Sequence, residues 1–256
     1  YMPHLCGRPL PGTRRCNLGR ETAIQKVEWR DDDWLYLADS GNDPKVEVSA
    51  PSIDPFPFPK LPDRLPFASP HYATPRGPSN SVIRKTEKLT LKGRDSLESN
   101  FNQSMLARRL THQSATATCK LSFEPKNFQQ MAGMAAYYNT YLFHYLYLSN
   151  DEDAGLSLQI HSCNDGESSF PLGSEVVPVS KSKLFLRASF NNSDLQFSFS
   201  EDGENFLEIG PVLDASILSD DHGNHWGFTG TFVALACQDL TGAGMSADFD
   251  FLELSN

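Results

Sequence analysis

The chain has 256 residues, of which 39% are apolar and 11% aromatic, enough to bury a core as one large or two small domains. Its formal charge of −10 excludes a nucleic-acid binder that works through a basic surface. No apolar run reaches the roughly 18 residues of a membrane-spanning helix.

In chain order, residues 1–40 read as the tail of another domain. Ala23-Ile24-Gln25-Lys26-Val27-Glu28-Trp29 alternates apolar and polar positions, the period of a half-buried strand. Asp31-Asp32-Asp33 then turns the chain into a second strand, Trp34-Leu35-Tyr36-Leu37. A hairpin of this kind is marginal in water by itself and calls for a partner surface. Residues 41–87 change composition sharply, with ten prolines between Pro44 and Pro78. Proline fixes φ and donates nothing to a ladder, so a regular sheet or helix is not expected there. The interleaved Phe56, Phe58, Leu61, Leu65 and Phe67 favour an extended strap lying on a surface over a free linker.

Residues 88–256 read as strand after strand. Leu89-Thr90-Leu91 ends in a turn at Lys92-Gly93-Arg94-Asp95, and Ala115, Ala117, Cys119, Leu121 and Phe123 fall on one face of the next run. Between Ala132 and Leu148 the aromatic residues Tyr141, Phe143, Tyr145 and Tyr147 recur at period two, which argues for strands over a helix. Leu156–Ile160, Leu184–Ala188 and Leu195–Phe199 alternate in the same way, and Asp202-Gly203 marks a hairpin turn before Phe206–Ile209. Many short strands at regular spacing predict an all-β, two-sheet sandwich.

Chemistry-bearing clusters are sparse. The five cysteines (6, 16, 119, 163, 237) match neither a zinc site nor a Cys-x-x-Cys pair; Cys6 and Cys16 flank a loop and leave a disulfide or two isolated thiols open. The acidic runs Asp31–Asp33, Asp151–Asp153 and Asp220-Asp221 read as solvated turns. Asp239, Asp248 and Asp250 near the last strand leave a Ca²⁺ site or ladder and turn hydrogen bonds open. The seven histidines show no helical metal spacing, and there is neither a nucleophile elbow nor a Gly-rich phosphate loop, so no cofactor is implied. The sequons Asn102-Gln103-Ser104 and Asn191-Asn192-Ser193 are too short to place the chain in a compartment.

Two runs at opposite ends carry a resemblance. Gly19-Arg20-Glu21-Thr22-Ala23-Ile24-Gln25 stands near the start, and Gly227-Phe228-Thr229-Gly230-Thr231-Phe232-Val233 near the end, followed by Cys237-Gln238-Asp239-Leu240 and Ala247-Asp248-Phe249-Asp250-Phe251. With Gln103-Ser104, Ala107-Arg108-Arg109, Phe128–Met134 and Tyr137-Tyr138-Asn139, the chain resembles the C-terminal half of a glycoside hydrolase family 43 β-xylosidase. The likeness weakens only between about Gly41 and Lys88.

That resemblance implies a concanavalin A-like β-sandwich over 88–256, preceded by a remnant hairpin of a five-bladed β-propeller over 1–40 and joined to it by the strap. It implies an enzyme that removes xylose from xylo-oligosaccharide ends with inversion, and in some relatives arabinose. The catalytic carboxylates would precede Tyr1, so the chain reads as truncated, with no catalytic residue of its own and no activity alone. Two substrate-binding residues carry over. Arg20 would reach the −1 xylose and the pKa-tuning aspartate, with Arg8 its rival and Glu21 structural. Phe228 would close the far side of the pocket. The partner implied is a xylo-oligosaccharide met through a propeller domain; a homo-oligomer stays open. Two other classes compete: a carbohydrate-binding module with Tyr137 to Tyr147 as its platform, and a structural or interaction protein with the Phe-bearing strap as its interface.

Overall fold

The computed structural model describes residues 1–39, 41–225 and 227–256. Strands β1 (Met2–Cys6), β2 (Glu21–Gln25), β3 (Val27–Trp29) and β4 (Leu35–Leu37) come first. Then follow β5 (Tyr72–Ala73), β6 (Val82–Arg84), β7 (Leu89–Lys92), β8 (Ser104–Arg109), β9 (Ser114–Ser122), β10 (Gln130–Asn139) and β11 (Leu142–Asp151). The remainder are β12 (Gly155–Asn164), β13 (Glu167–Ser169), β14 (Val177–Pro178), β15 (Lys183–Asn191), β16 (Asp194–Ser200), β17 (Leu207–Asp214), β18 (Phe232–Asp239) and β19 (Ser246–Ser255). One short 3₁₀ turn, Ala215–Ile217, is the helical content of the described residues. None of it is long and apolar enough to cross a membrane.

Two antiparallel sheets face each other. An eight-stranded sheet runs β13-β12-β11-β10-β18-β8-β5, with β14 also on β12, and a seven-stranded sheet runs β17-β16-β15-β9-β19-β7-β6. The alternation in β9 and β15 explains the second sheet: Ala115, Ala117, Cys119 and Leu121, with Leu184, Leu186, Ala188 and Phe190, point inward while Thr and Arg side chains point out. Phe197, Phe249, Met134, Leu146 and Leu235 fill the space between the sheets. All of these are fully buried, so the interior is dry and apolar.

The central strands β10 and β11 are buried on both faces, which is why their sequence is almost continuously apolar. On the outer face, Ala135, Tyr137, Phe143, Tyr145 and Tyr147 form a second apolar layer with Leu97, Met105 and Cys163. Tyr141 instead sits in the β10–β11 turn and stacks on His225 at 3.7 Å. An exposed tyrosine platform is therefore absent, because Tyr145 is wholly buried and Tyr137 and Tyr147 nearly so.

The first forty residues differ from the expectation in detail. Ala23 to Trp29 is not one strand but two, broken at Lys26: β2 pairs with β1, and β3 with β4. The break comes from Gln25, whose amide is buried and exchanges hydrogen bonds with the Lys45 backbone at 2.7 and 3.2 Å. The apolar positions Ile24 and Trp29 face outward instead. The Asp31–Asp33 turn forms as expected, with Asp32 accepting from the Trp34 amide and the Tyr36 hydroxyl.

The Pro-rich segment lies on the sandwich as a strap from Pro62 onward, while its start is held to the first hairpin through Lys45 and through Ser49 O, which accepts from the Tyr1 hydroxyl at 2.9 Å. Arg108 donates to the carbonyls of Asp63 and Pro62, Arg84 to those of Phe67 and Ser69, and Leu254 N to Asp63 O. Leu65, Phe67 and Tyr72 are buried beneath it. Between Pro70 and Pro75 the strap even supplies a two-residue edge strand, β5, where proline is tolerated. Upstream, Phe56 and Phe58 meet each other edge-on at 5.7 Å and are otherwise exposed.

Candidate functional site

Arg20 and Phe228 are more than two hundred residues apart in sequence and 6.0 Å apart in space, guanidinium carbon to ring centroid. Two glycines bring this about. A Cβ on Gly19, whose φ is +75°, would lie 2.1 Å from Thr229 O, and one on Gly230 would lie 2.4 Å from Leu18 O. Only bare backbone fits between the two segments. Around this contact Thr231 N donates to Asn17 O at 2.8 Å, Arg109 to Leu18 O at 2.7 Å, and Arg15 to the Ser216 hydroxyl at 2.6 Å. Leu10, Asn17 and Leu18 are buried at this seam.

Arg20 is held from behind by two carboxylates. Its Nη2 lies 3.3 Å from Asp221 Oδ1 and its Nε 3.7 Å from Asp220 Oδ2. Asp221 also accepts from Cys16 N at 3.0 Å, which ties it to the chain just before Arg20. The Asp221 hydrogen bond raises the Arg20 pKa further above its ordinary value, so the guanidinium is a fixed positive charge. Asp220-Asp221 is thus not the solvated turn expected from sequence: the Asp220 side chain is 2% exposed. Its carboxylate oxygens have no hydrogen-bond partner among the described residues, and Arg20 is the cation that offsets the cost of burying it.

Arg8 does not share this cleft. It forms a bidentate pair with Glu21, Nε to Oε2 at 2.6 Å and Nη2 to Oε1 at 2.9 Å, and that hydrogen bonding lowers the Glu21 pKa. Glu21 is therefore a partner of Arg8 in the hairpin.

Phe228 has φ of +50°, a left-handed backbone that non-glycine residues adopt at a cost of about 1–3 kcal/mol. The residue is 62% exposed, so its own burial does not offset that cost. The loop around it does. His222 bonds Asn164 at 2.6 Å, Asn224 bonds Asp165 twice, Asn139 donates to His225 O at 3.0 Å, and Gly227 N donates to the Tyr138 hydroxyl at 3.2 Å. The aromatic ring stands over a cleft of about 370 Å³ lined by Arg14, Arg20, Asp220, Asp221, Gly223 and Phe228.

The remaining candidates are placed elsewhere. Asp248 accepts from Thr90 and pairs with Lys88 at 2.8 Å; Asp250 pairs with Lys120 at 3.0 Å; Asp239 caps the turn to Met245. Burial alone would raise the Asp239 pKa, but its hydrogen bonds from Thr241 and Met245 lower it overall. All five cysteines are free thiols, Cys6 and Cys16 included.

Residues 64–255 match the family described as the β-xylosidase C-terminal concanavalin A-like domain of glycoside hydrolase family 43. The chain belongs to that family. It is 40% identical over 267 residues to xylosidase/arabinosidase 43B of Humicola insolens, covering 98% of this chain and 49% of that protein. It is 37% identical over 275 residues to a xylan 1,3-beta-xylosidase of a Vibrio species, covering 99% and 50%. The crystal structure of xylan beta-1,4-xylosidase from Bacillus halodurans C-125 superposes with a TM-score of 0.92 at 37% identity, over 99% of this chain and 50% of that one. The chain spans about half the length of the curated relatives it matches, and corresponds to their C-terminal half. The domain's own sandwich matches the concanavalin A-like expectation in both sheets.

Sequence reasoning missed the two carboxylates that hold Arg20. Their signal was present but faint: a paired acid eight residues before Phe228, in a run otherwise lacking cations.

Proposed function

We propose that this domain is the supporting half of an inverting exo-β-xylosidase and completes an active site whose acid and base lie outside these 256 residues. A propeller would supply an aspartate base, a glutamate acid and a further aspartate that tunes the acid. In inverting enzymes the two catalytic carboxyls stand about 6.5–9.5 Å apart with a water between. Arg20 would reach the −1 xylose and the tuning aspartate with its planar donor fork. Phe228 would form the wall that admits only a chain end. The single observation that carries this reading is the convergence of Arg20 and Phe228 on one cleft, 6.0 Å apart. The exposed Trp29, Trp34, Phe56 and Phe58 support it, since they offer an apolar face for a partner domain.

The test is turnover of a chromogenic xyloside. The 256-residue chain should be silent, and the same chain joined to a family propeller should be active. In the joined enzyme, Arg20→Ala should lower kcat/KM by about a hundredfold, as loss of one preorganised donor does elsewhere. Phe228→Ala should raise KM more than it lowers kcat. Turnover by the 256-residue chain alone would overturn the proposal.

A further inference from the structure

The eight-stranded sheet carries a second concavity on its outer face, remote from the Arg20–Phe228 cleft. The cleft borders the Tyr138–Asn139 end of β10, and the second groove borders Met131 at the other end. Eight residues of strand separate them, roughly 25 Å at a rise of about 3.3 Å per residue. The groove encloses about 550 Å³, within the roughly 300–1,000 Å³ of small-molecule sites.

Strand register places its floor. Tyr147 lies opposite Gln159, Ser149 opposite Ser157, and Met131 opposite Gln238. Two of these groups are already occupied: the Gln159 amide bonds Glu175 O and Ile160 N, and the Ser149 hydroxyl bonds Gln130 O. Three are not. Tyr147, Ser157 and Gln238 are each more than nine-tenths buried. The Gln238 amide nitrogen has no partner among the described residues. The Tyr147 and Ser157 hydroxyls make no hydrogen bond to them either, and burial pushes the Tyr147 phenol up to about 12, which keeps it a neutral donor. The Gln238 amide nitrogen is buried without a partner, which is costly, whereas the Tyr147 and Ser157 hydroxyls keep access to the groove and are free to meet a ligand there.

The walls are aromatic. Phe128 and Phe170 are both half-exposed at the rim, and Phe170 is propped by His161, stacked on it at 5.2 Å. No lysine or arginine lines the groove, while Glu98 and Asp151 do, so an anionic ligand is disfavoured. Flat aromatic walls above unpaired neutral donors and acceptors suit a neutral polyol, whose ring has apolar faces and hydroxyl edges.

We infer that this groove is a second carbohydrate site, binding a neutral oligosaccharide chain between Phe128 and Phe170 over the Tyr147 and Ser157 hydroxyls, with Gln238 in its floor. The choice of a xylose chain as ligand rests on the β-xylosidase reading; the groove itself does not.

Titration of the 256-residue chain with xylohexaose, and separately with cellohexaose, tests this by calorimetry and amide chemical shifts. Shifts should map to Tyr147, Ser157, Phe170 and Gln238 and be absent at Arg20, Asp221 and Phe228. Phe170→Ala, at an exposed loop position, should weaken binding about tenfold, and Tyr147→Phe, which keeps the ring, about fivefold. Binding of cellohexaose alone would uphold the groove and overturn xylose as its ligand. Binding of neither sugar, or shifts centred on Arg20 and Phe228, would overturn the proposal.

Discussion

Phe197 and Phe249 lie wholly buried between the sheets, whereas Trp29, Trp34, Phe56 and Phe58, all within the first sixty residues, are between 71% and 87% exposed. Both regions are rich in β-forming aromatic residues; only one has a surface to bury them against. The sandwich closes on itself, with inward rows from two sheets meeting in one buried apolar core. The hairpins β1–β2 and β3–β4 are two-stranded, the chain between β1 and β2 bonds the sandwich through residues 8–20, and Ile24, Trp29, Trp34 and Leu35 are exposed. The contrast teaches that aromatic residues in strand-forming sequence are buried where a second sheet faces them and stand exposed where none does.

The largest expected effect separates the two directly. Phe197→Ala should cost about 3–5 kcal/mol in urea unfolding, by lost transfer energy and an unfilled cavity. Trp29→Ala should stay within about 0.5 kcal/mol, as surface changes do. A Trp29→Ala loss as large as that of Phe197→Ala would mean the hairpin face is covered in solution, and the comparison would fail. The seam between the regions comes next. Gly230→Ala pushes a methyl against Leu18 O and should cost about 1–3 kcal/mol. Its signature should be faster proteolysis within residues 8–20 while the sandwich transition persists; wild-type protection would show that the seam is not held.

The smallest effect sharpens the picture of the sandwich as a sealed unit. His144 is buried, and desolvation lowers its pKa, with the Asp214 carbonyl and charge opposing less strongly. Its Nε2 lies 3.2 Å from Asp214 O and its Nδ1 2.8 Å from the Ser162 hydroxyl, an arrangement that suits a neutral ring donating to the carbonyl. The unfolded chain takes up a proton near pH 6.5, while the folded ring resists it until lower pH. Stability from this site is therefore full above about pH 6.5 and is lost as pH falls through the depressed folded value. Melting temperature should drop on acidification from pH 7 to 5.5, and His144→Gln should flatten that slope. An unchanged slope would show that His144 does not govern it.

The sandwich was legible because period-two alternation is a local property: Ala115 to Phe123 and Leu184 to Ala188 declare their inward faces without reference to a partner. The N-terminal strands were legible as strands but not in register. Whether Ile24 or Gln25 is buried depends on Lys45, a distant backbone that no periodicity encodes. Arg20 and Phe228 were found through their flanking motifs, while Asp220 was misread because a pair of acids resembles a solvated turn until the arginine that faces it is known. Tyr147 was read as part of one platform running from Tyr137, and Gln238 was not singled out, for a related reason. A groove on a sheet face is set by which side chains of neighbouring strands fall opposite one another, as Tyr147 with Gln159 and Met131 with Gln238 do, and that is a property of register.

The bare-backbone contact between Gly19 and Gly230 also bears on timescale. Close backbone contact there, clamped by the Thr231–Asn17 and Arg109–Leu18 hydrogen bonds, leaves little slack, so Arg20 and Phe228 travel as one body. If a sugar enters their cleft, access is left to rotation of the exposed Phe228 ring, a picosecond-to-nanosecond event, and not to a microsecond-to-millisecond domain swing. Ligand exchange at this end of the molecule would then be set by diffusion and chemistry, with no slow gate in series.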